Sequence, residues 1–216
     1  MARPSRPLLS VPRIAEAALA LVDASGDFTM AALADALGVR PSSLYNHLAG
    51  REEIVEAMRT QVLEQGAHEL RNDPGRGPVR GPEEAVRLIL RSYRESFARH
   101  PRLIPLVTSY TVSAPAVMRW YEELADHLTV LGIGRDRLLD VITLLDSLVL
   151  GAALDLAAPD EVWDRRGTRS ALLAAAIAAA PTGRERADRA FELGLDLVLG
   201  GLVRLATTAP ADHSAS

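Results

Sequence analysis

This chain of 216 residues contains no cysteine and no lysine. The missing cysteine excludes disulfides, thiolate metal sites and a cysteine nucleophile. All 24 basic residues are therefore arginine, a bias that goes with a GC-rich bacterial genome and carries no mechanism of its own. Long apolar runs are also missing. None approaches the ~18 residues that span a bilayer, and the N-terminus MARPSRPLLSVPR has no apolar stretch ahead of a cleavage site. A soluble cytoplasmic protein without a membrane partner is expected. No excess of positive charge exists either: the formal net charge is −4. Up to residue 60, Arg3, Arg6, Arg13, Arg40, Arg51 and Arg59 are offset by Glu16, Asp23, Asp27, Asp35, Glu52, Glu53 and Glu56. A coat protein that binds nucleic acid without regard to sequence would be strongly basic, so that class is disfavoured. A specific reader with a few well-placed arginines is not.

What is present is helical. Of all residues 48% are hydrophobic, enough for a proper core, and no stretch alternates with the period of a strand. The fold class is all-α. Met1 to Leu9 reads as a basic arm. A first helix starts at Ser10 as N-cap, carries Ile14, Ala17, Ala18, Leu21 and Val22 on one stripe, and stops at Gly26. A long helix runs from Arg51 to about Arg71. The Pro/Gly-dense NDPGRGPVRGP that follows is a loop. It is not a nucleotide loop, since no strand precedes it. Pro82-Glu83-Glu84 opens a helix to about His100, and further helical stretches cover 101–108, 115–131, 135–157 and 170–180. A capping box at Thr182–Glu185 starts the last helix, and a polar tail follows from Thr207.

The most informative stretch is Thr29 to Ile54. Met30, Leu33, Ala34 and Leu37 share one face, Thr29 precedes them as a cap, and Gly38 ends the helix. Val39 plugs the turn. Pro41 opens a second helix whose inner face is Leu44 and Leu48. Ser42, Ser43 and Asn46 point outward, with Tyr45 and His47 on the flanks. Short hydroxyls, an amide, a phenol and an imidazole can read base edges and hold phosphates in a major groove. A capped partner helix and a glycine turn at helix-turn-helix spacing favour that use over an ordinary solvated face.

The segments Met30-Ala31-Ala32-Leu33-Ala34, Gly38-Val39, Leu44-Tyr45-Asn46-His47-Leu48 and Arg51-Glu52-Glu53-Ile54 resemble the TetR/AcrR family of bacterial transcriptional regulators. The resemblance covers about the first quarter of the chain. Leu48 stands where the family usually has Phe, which alters packing only. Arg40 stands where a small hydroxyl residue is more common, so it adds a possible DNA contact. The resemblance and the outward face together give DNA-binding residues Thr29, Ser42, Ser43, Tyr45, Asn46, His47 and Arg51, with Arg51 at the position that in the family contacts phosphate, and the departure at Arg40 adds Arg40 to them. The resemblance also implies a reader within residues 1–50 and a helical ligand-binding and dimerisation domain over 51–216.

Two late segments, VITLLDSLVLGAALDLAA (141–158) and FELGLDLVLGGLVRL (191–205), are apolar on nearly all sides. Helices of this kind are buried all round, which points to a second subunit. Gly194 and Gly201 lie on one stripe and permit close approach. The resemblance implies a homodimer sealed by these two helices of each subunit.

Chemistry is sparse. There is no G-x-S-x-G elbow and no H-E-x-x-H, so no enzyme and no cofactor are expected. Glu123 and His127, four apart, suit a surface ion pair better than a metal site. Seven of the nine aromatics lie beyond residue 50. His68, Tyr93, Phe97, His100, Tyr110, Met118, Trp120 and Trp163 are the candidates for a small-molecule pocket, although aromatics also fill helical cores. The expected function is a ligand-responsive repressor released from a palindromic double-stranded operator by a small molecule. The alternatives are a helical small-molecule-binding protein or enzyme whose helix-turn-helix is incidental, and a DNA-binding regulator controlled by a protein partner.

Overall fold

Glycines and prolines set the helix ends in the computed structural model, which describes residues 9–75 and 77–208. The basic arm, apart from Leu9, and the tail from residue 209 lie outside the described residues. All regular structure among the described residues is helical. The chain divides into two compact units. One holds the residues up to Asn72 together with His100–Tyr121, and the other holds Asp73–Arg99 together with the chain from Glu122.

In the first unit, α1 (Val11–Ser25) ends at Gly26, whose φ of 85° is the left-handed conformation. Ser10 takes the N-cap position with extended backbone, but its hydroxyl makes no capping bond. Ile14, Ala15, Ala18, Leu19 and Val22 are buried, so the inner stripe is turned slightly from the expected one. Helix α2 (Met30–Leu37) buries Leu33 and Ala34. Thr29 caps it, accepting the Ala32 N–H at 3.1 Å. Gly38, at φ 66°, closes it in a Schellman motif: its N–H reaches Asp35 O at 3.1 Å and the Val39 N–H reaches Ala34 O at 3.0 Å. Replacing Thr29 by Ala is expected to cost about 1 kcal/mol, read as a lowered melting temperature of the folded chain.

The reading helix is shorter than the pattern predicts. α3 covers only Pro41–Leu44, and Tyr45–His47 continue as a turn in which the His47 and Leu48 N–H groups both donate to Leu44 O. Two serines, Asn46 and His47 are poor helix formers, and one turn of helix cannot override them. Leu44 and Leu48 are buried all the same, at 0% and 8% exposure. Helix α4 (Arg51–Arg71) starts and ends where the sequence indicates. Glu53 in its first turn reaches back and accepts the Ala49 N–H, just ahead of the helix, at 2.5 Å. A 3-10 turn (Pro101–Leu103) and α6 (Ile104–Val107) complete this unit with the start of α7 (Pro115–Val130).

The second unit is built from α5 (Pro82–Ala98), the rest of α7, α8 (Arg135–Leu156), α9 (Ala171–Ala179) and α10 (Gly183–Thr208). Helix α8 packs against α5 and α10. An arginine ladder ties α5 to α10. Arg87 pairs with Asp196 at 2.7 Å, Arg91 with Glu192 at 2.5 Å and Arg94 with Asp188 at 2.6 Å. Partner numbers fall as α5 numbers rise, so the two helices are antiparallel. Arg94 is buried and its guanidinium also lies 4.7 Å from the centre of the Phe191 ring.

This ladder sets which side of α10 faces inward within one chain, and the opposite sides of α8 and α10 are left exposed there. Phe191, Leu195, Leu199 and Leu202 point into the unit, whereas Leu193 and Leu197 are 59% and 64% exposed. On α8, Val141, Leu145, Val149 and Ala153 are inside, while Thr143, Leu144, Ser147, Gly151 and Leu154 form an exposed stripe. The two glycines also differ. A Cβ on Gly194 would meet Leu148 at 3.0 Å, so that glycine serves the α8–α10 contact within one chain, and Gly201 faces open space.

Candidate nucleic-acid interface

The turn after α2 and the short α3 present one polar face. Arg40, Ser42, Tyr45, Asn46 and His47 are exposed and Ser43 is half-buried. Tyr45, a large ring, is 55% exposed, which an ordinary core-facing tyrosine would not be. Arg40 stands at the α3 N-cap with extended backbone and makes no side-chain cap, so its guanidinium is not consumed by the helix start. Thr29 is exposed at the other end of α2. Its oxygen accepts the Ala32 N–H, which leaves the hydroxyl proton to donate. The face thus offers amide, hydroxyl, phenol and imidazole groups held by the buried Leu33, Ala34, Leu44 and Leu48.

Arg51 is placed differently from the sequence expectation. Its guanidinium pairs with Asp27, donates to the Phe28 carbonyl, and donates through Nε to the Tyr110 hydroxyl at 3.2 Å. It also lies 4.3 Å from the centre of the Phe28 ring. The Arg51 hydrogen bond, with one from the Phe28 N–H, holds the Asp27 carboxyl below the ordinary carboxylate range. A depressed carboxylate pKa stabilises the fold above the unfolded value of about 4 and loses that effect as pH falls through the lower folded value. The melting difference between the parent and Asp27→Asn is therefore expected to be constant from pH 6 to 8 and to close below pH 4. Asp27 is exposed, so the difference is small.

A second set of contacts on α4 was not foreseen. Glu56 and Arg59 are 5% exposed each and form an ion pair. Glu56 accepts the Ser113 and Ala114 N–H groups, both at 2.9 Å, and so caps the start of α7. Arg59 donates to the carbonyls of Val107 and Tyr110. In the sequence these two enter only the charge balance. Their partners lie about fifty residues away, and no local spacing signals them.

The aromatic candidates divide between the units. His68, His100, Tyr110, Met118 and Trp120 fall in the first, and Tyr93, Phe97 and Trp163 in the second. Tyr93 and Phe97 are buried and pack edge to face at 5.1 Å, as core residues do. His100 Nδ1 lies 2.8 Å from the Asp23 carboxylate. Trp120 meets Tyr121 edge to face at 5.0 Å. His68 is exposed in the last turn of α4. Met118 and Trp163 are 41% and 63% exposed, which sets them aside as lining of a cavity within their own units. Among the described residues, no cluster of three or more His, Asp or Glu side chains is placed to hold a metal ion.

Residues 80–205 match the family model described as tetracyclin repressor-like, C-terminal domain. The chain belongs to the TetR family. Its N-terminal resemblance and its C-terminal match thus meet in one family from opposite ends. Among TetR-type relatives, an HTH-type transcriptional repressor, DrrR1 of Streptomyces coeruleorubidus, is 32% identical over 175 residues. That match takes in 78% of this chain and 63% of the repressor, so the chain spans under two thirds of that relative's length. Apo ActR from Streptomyces coelicolor superposes with a TM-score of 0.72 at 25% identity, covering 97% of this chain and all of ActR. ActR in complex with actinorhodin gives a TM-score of 0.70 at the same identity and coverage. Among the described residues, no single helix of this TetR-family chain is long and apolar enough to cross a membrane.

Proposed function

We propose that this chain is a ligand-responsive transcriptional repressor that binds a palindromic operator as a homodimer. The observation that carries the reading is the exposed polar face of α3 and its turn, mounted on a buried helix-turn-helix core. The reading face is Arg40, Ser42, Ser43, Tyr45, Asn46 and His47, and Thr29 holds a phosphate from the start of α2. The reader lies within residues 1–50, and 51–216 is the regulatory part. The protein acts by binding and not by catalysis.

Dimerisation rests on the exposed stripes of α8 and α10. Leu144 and Leu154 on one helix and Leu193 and Leu197 on the other are all more than 40% exposed in a single chain. Thr143, Ser147, Gly151 and Gly200 lie among them as small residues. Small residues between leucines let two helices approach closely, so a second copy can cover both stripes in a four-helix seal.

Control by a small molecule is supported by ActR, whose structure was solved with actinorhodin. An effector can release DNA only if it binds the DNA-free state more tightly, and operator must then weaken the effector by the same factor. The test is titration of the protein–operator complex, beginning with actinorhodin and continuing through aromatic and lipophilic metabolites, followed by calorimetry with and without operator. A coupling of ~1–3 kcal/mol would lower operator affinity about 5- to 150-fold. A compound that binds equally well in both states would exclude it as the switch. An operator complex that no compound disturbs would favour control by a protein partner.

A further inference from the structure

We infer that Arg51 is a clasp and not a phosphate ligand: it fastens the loop after α1 and the Tyr110 segment to the first turn of α4, and thereby positions the helix-turn-helix. The inference rests on the reading of this face as a DNA reader and assigns one of its residues a new role. Three nitrogens of the guanidinium are already committed, to Asp27, to the Phe28 carbonyl and to the Tyr110 hydroxyl, and one planar face is spent on the Phe28 ring. Two N–H groups remain, but a phosphate that reached them would stand beside the Asp27 carboxylate, which carries the same sign of charge and is already paired with the guanidinium.

The surroundings show why such a clasp has work to do. The end of α1 and the connection to α2 are both held. Arg102 donates to the Asp23 and Ala24 carbonyls in the last turn of α1 at 2.9 and 2.5 Å, and His100 meets the Asp23 carboxylate. In the connection Arg51 takes hold of Asp27 and Phe28. Both grips trace back to one segment, since His100 and Arg102 begin it and Tyr110, which Arg51 also holds, lies further along. Two turns down α4, Arg59 and Glu56 bind the same segment at Val107, Tyr110, Ser113 and Ala114. The stretch 100–114 therefore fixes the end of α1 and the α1–α2 connection against α4, and Arg51 bonds to both the connection and the stretch. Helix α2 starts at Met30, two residues after Phe28, so slack at Phe28 is passed directly into the reading unit.

The experiment compares the full chain with Arg51→Ala, Arg51→Lys and Tyr110→Phe. It measures operator affinity against salt and hydrogen exchange of the DNA-free protein, with circular dichroism confirming that each variant is folded. A clasp predicts that Tyr110→Phe, which removes one hydroxyl and no charge, weakens operator binding about ten-fold with an unchanged salt slope. It predicts that Arg51→Lys fails to restore binding, because an ammonium keeps the charge but lacks the fork. It also predicts faster exchange at residues 26–29 in all three variants. A phosphate ligand predicts the reverse: Arg51→Ala lowers the salt slope by about one per contact, Lys rescues, and Tyr110→Phe is silent. That pattern would overturn the clasp. If the parent selects no specific DNA, the repressor reading fails on its own. The exchange measurement needs no DNA, and unchanged exchange at 26–29 in Arg51→Lys and Tyr110→Phe would then overturn the clasp.

Discussion

Leu197→Glu is expected to convert the proposed dimer to monomers and abolish operator binding, with the fold of the single chain retained. Leu197 is 64% exposed in one chain, so the charge is solvated in the monomer and costs little there. In the dimer it would be covered by the partner. Each copy would lose the ~1.5–3 kcal/mol of a buried leucine and would bury an unpaired carboxylate, which costs several kcal/mol more. A two-fold interface repeats the defect, so the dissociation constant should rise by at least about 10⁴-fold. Sedimentation at micromolar concentration is the measurement, and a parent-like dimer would remove α10 from the interface. Leu144→Glu on α8 should behave alike. Leu145→Glu should not: Leu145 is fully buried within the chain, so that change would unfold the protein and say nothing of the dimer.

Asn46→Ala is expected to abolish discrimination between operator and unrelated DNA while leaving weak, salt-sensitive binding in place. A carboxamide can donate to and accept from one adenine edge at once, and each good bidentate contact contributes ~1–3 kcal/mol of discrimination. A two-fold complex loses two such contacts. Asn46 is exposed beside the buried Leu44 and Leu48, so its removal leaves the scaffold unchanged. Competition between selected and scrambled duplex reads the effect. Parent-like discrimination would show that this residue does not read bases.

The helix ends were legible because punctuation residues act locally. Gly26 and Gly38 take left-handed backbone, and Pro82 and Pro115 open helices where their missing N–H groups cost nothing. The buried leucines of the helix-turn-helix were legible from spacing. The length of α3 was not, because Leu44 and Leu48 keep helical spacing whether the backbone between them is helix or turn. Helices α8 and α10 show the limit of periodicity. A segment with few polar residues carries little phase, so Leu144 and Leu145 look alike in sequence, and only the ladder from Arg87, Arg91 and Arg94 decides which side of α10 faces inward. Arg51 was assigned its role by resemblance, and its Asp27 and Tyr110 partners were invisible because one of them lies fifty-nine residues away. Tyr93 and Phe97 stand on an expected helix and Trp163 in the segment after another. Sequence gives no means of telling a ring that packs in a core from one that lines a pocket.

Selection of duplex DNA from a random pool by the purified full chain tests the central claim most directly. The account predicts enrichment of an inverted repeat whose half-sites are centred one helical turn apart, about 34–36 Å, or a multiple of it, and loss of that enrichment in Asn46→Ala. Failure to enrich any sequence, or enrichment of a single unrepeated site bound equally well by Asn46→Ala, would contradict it.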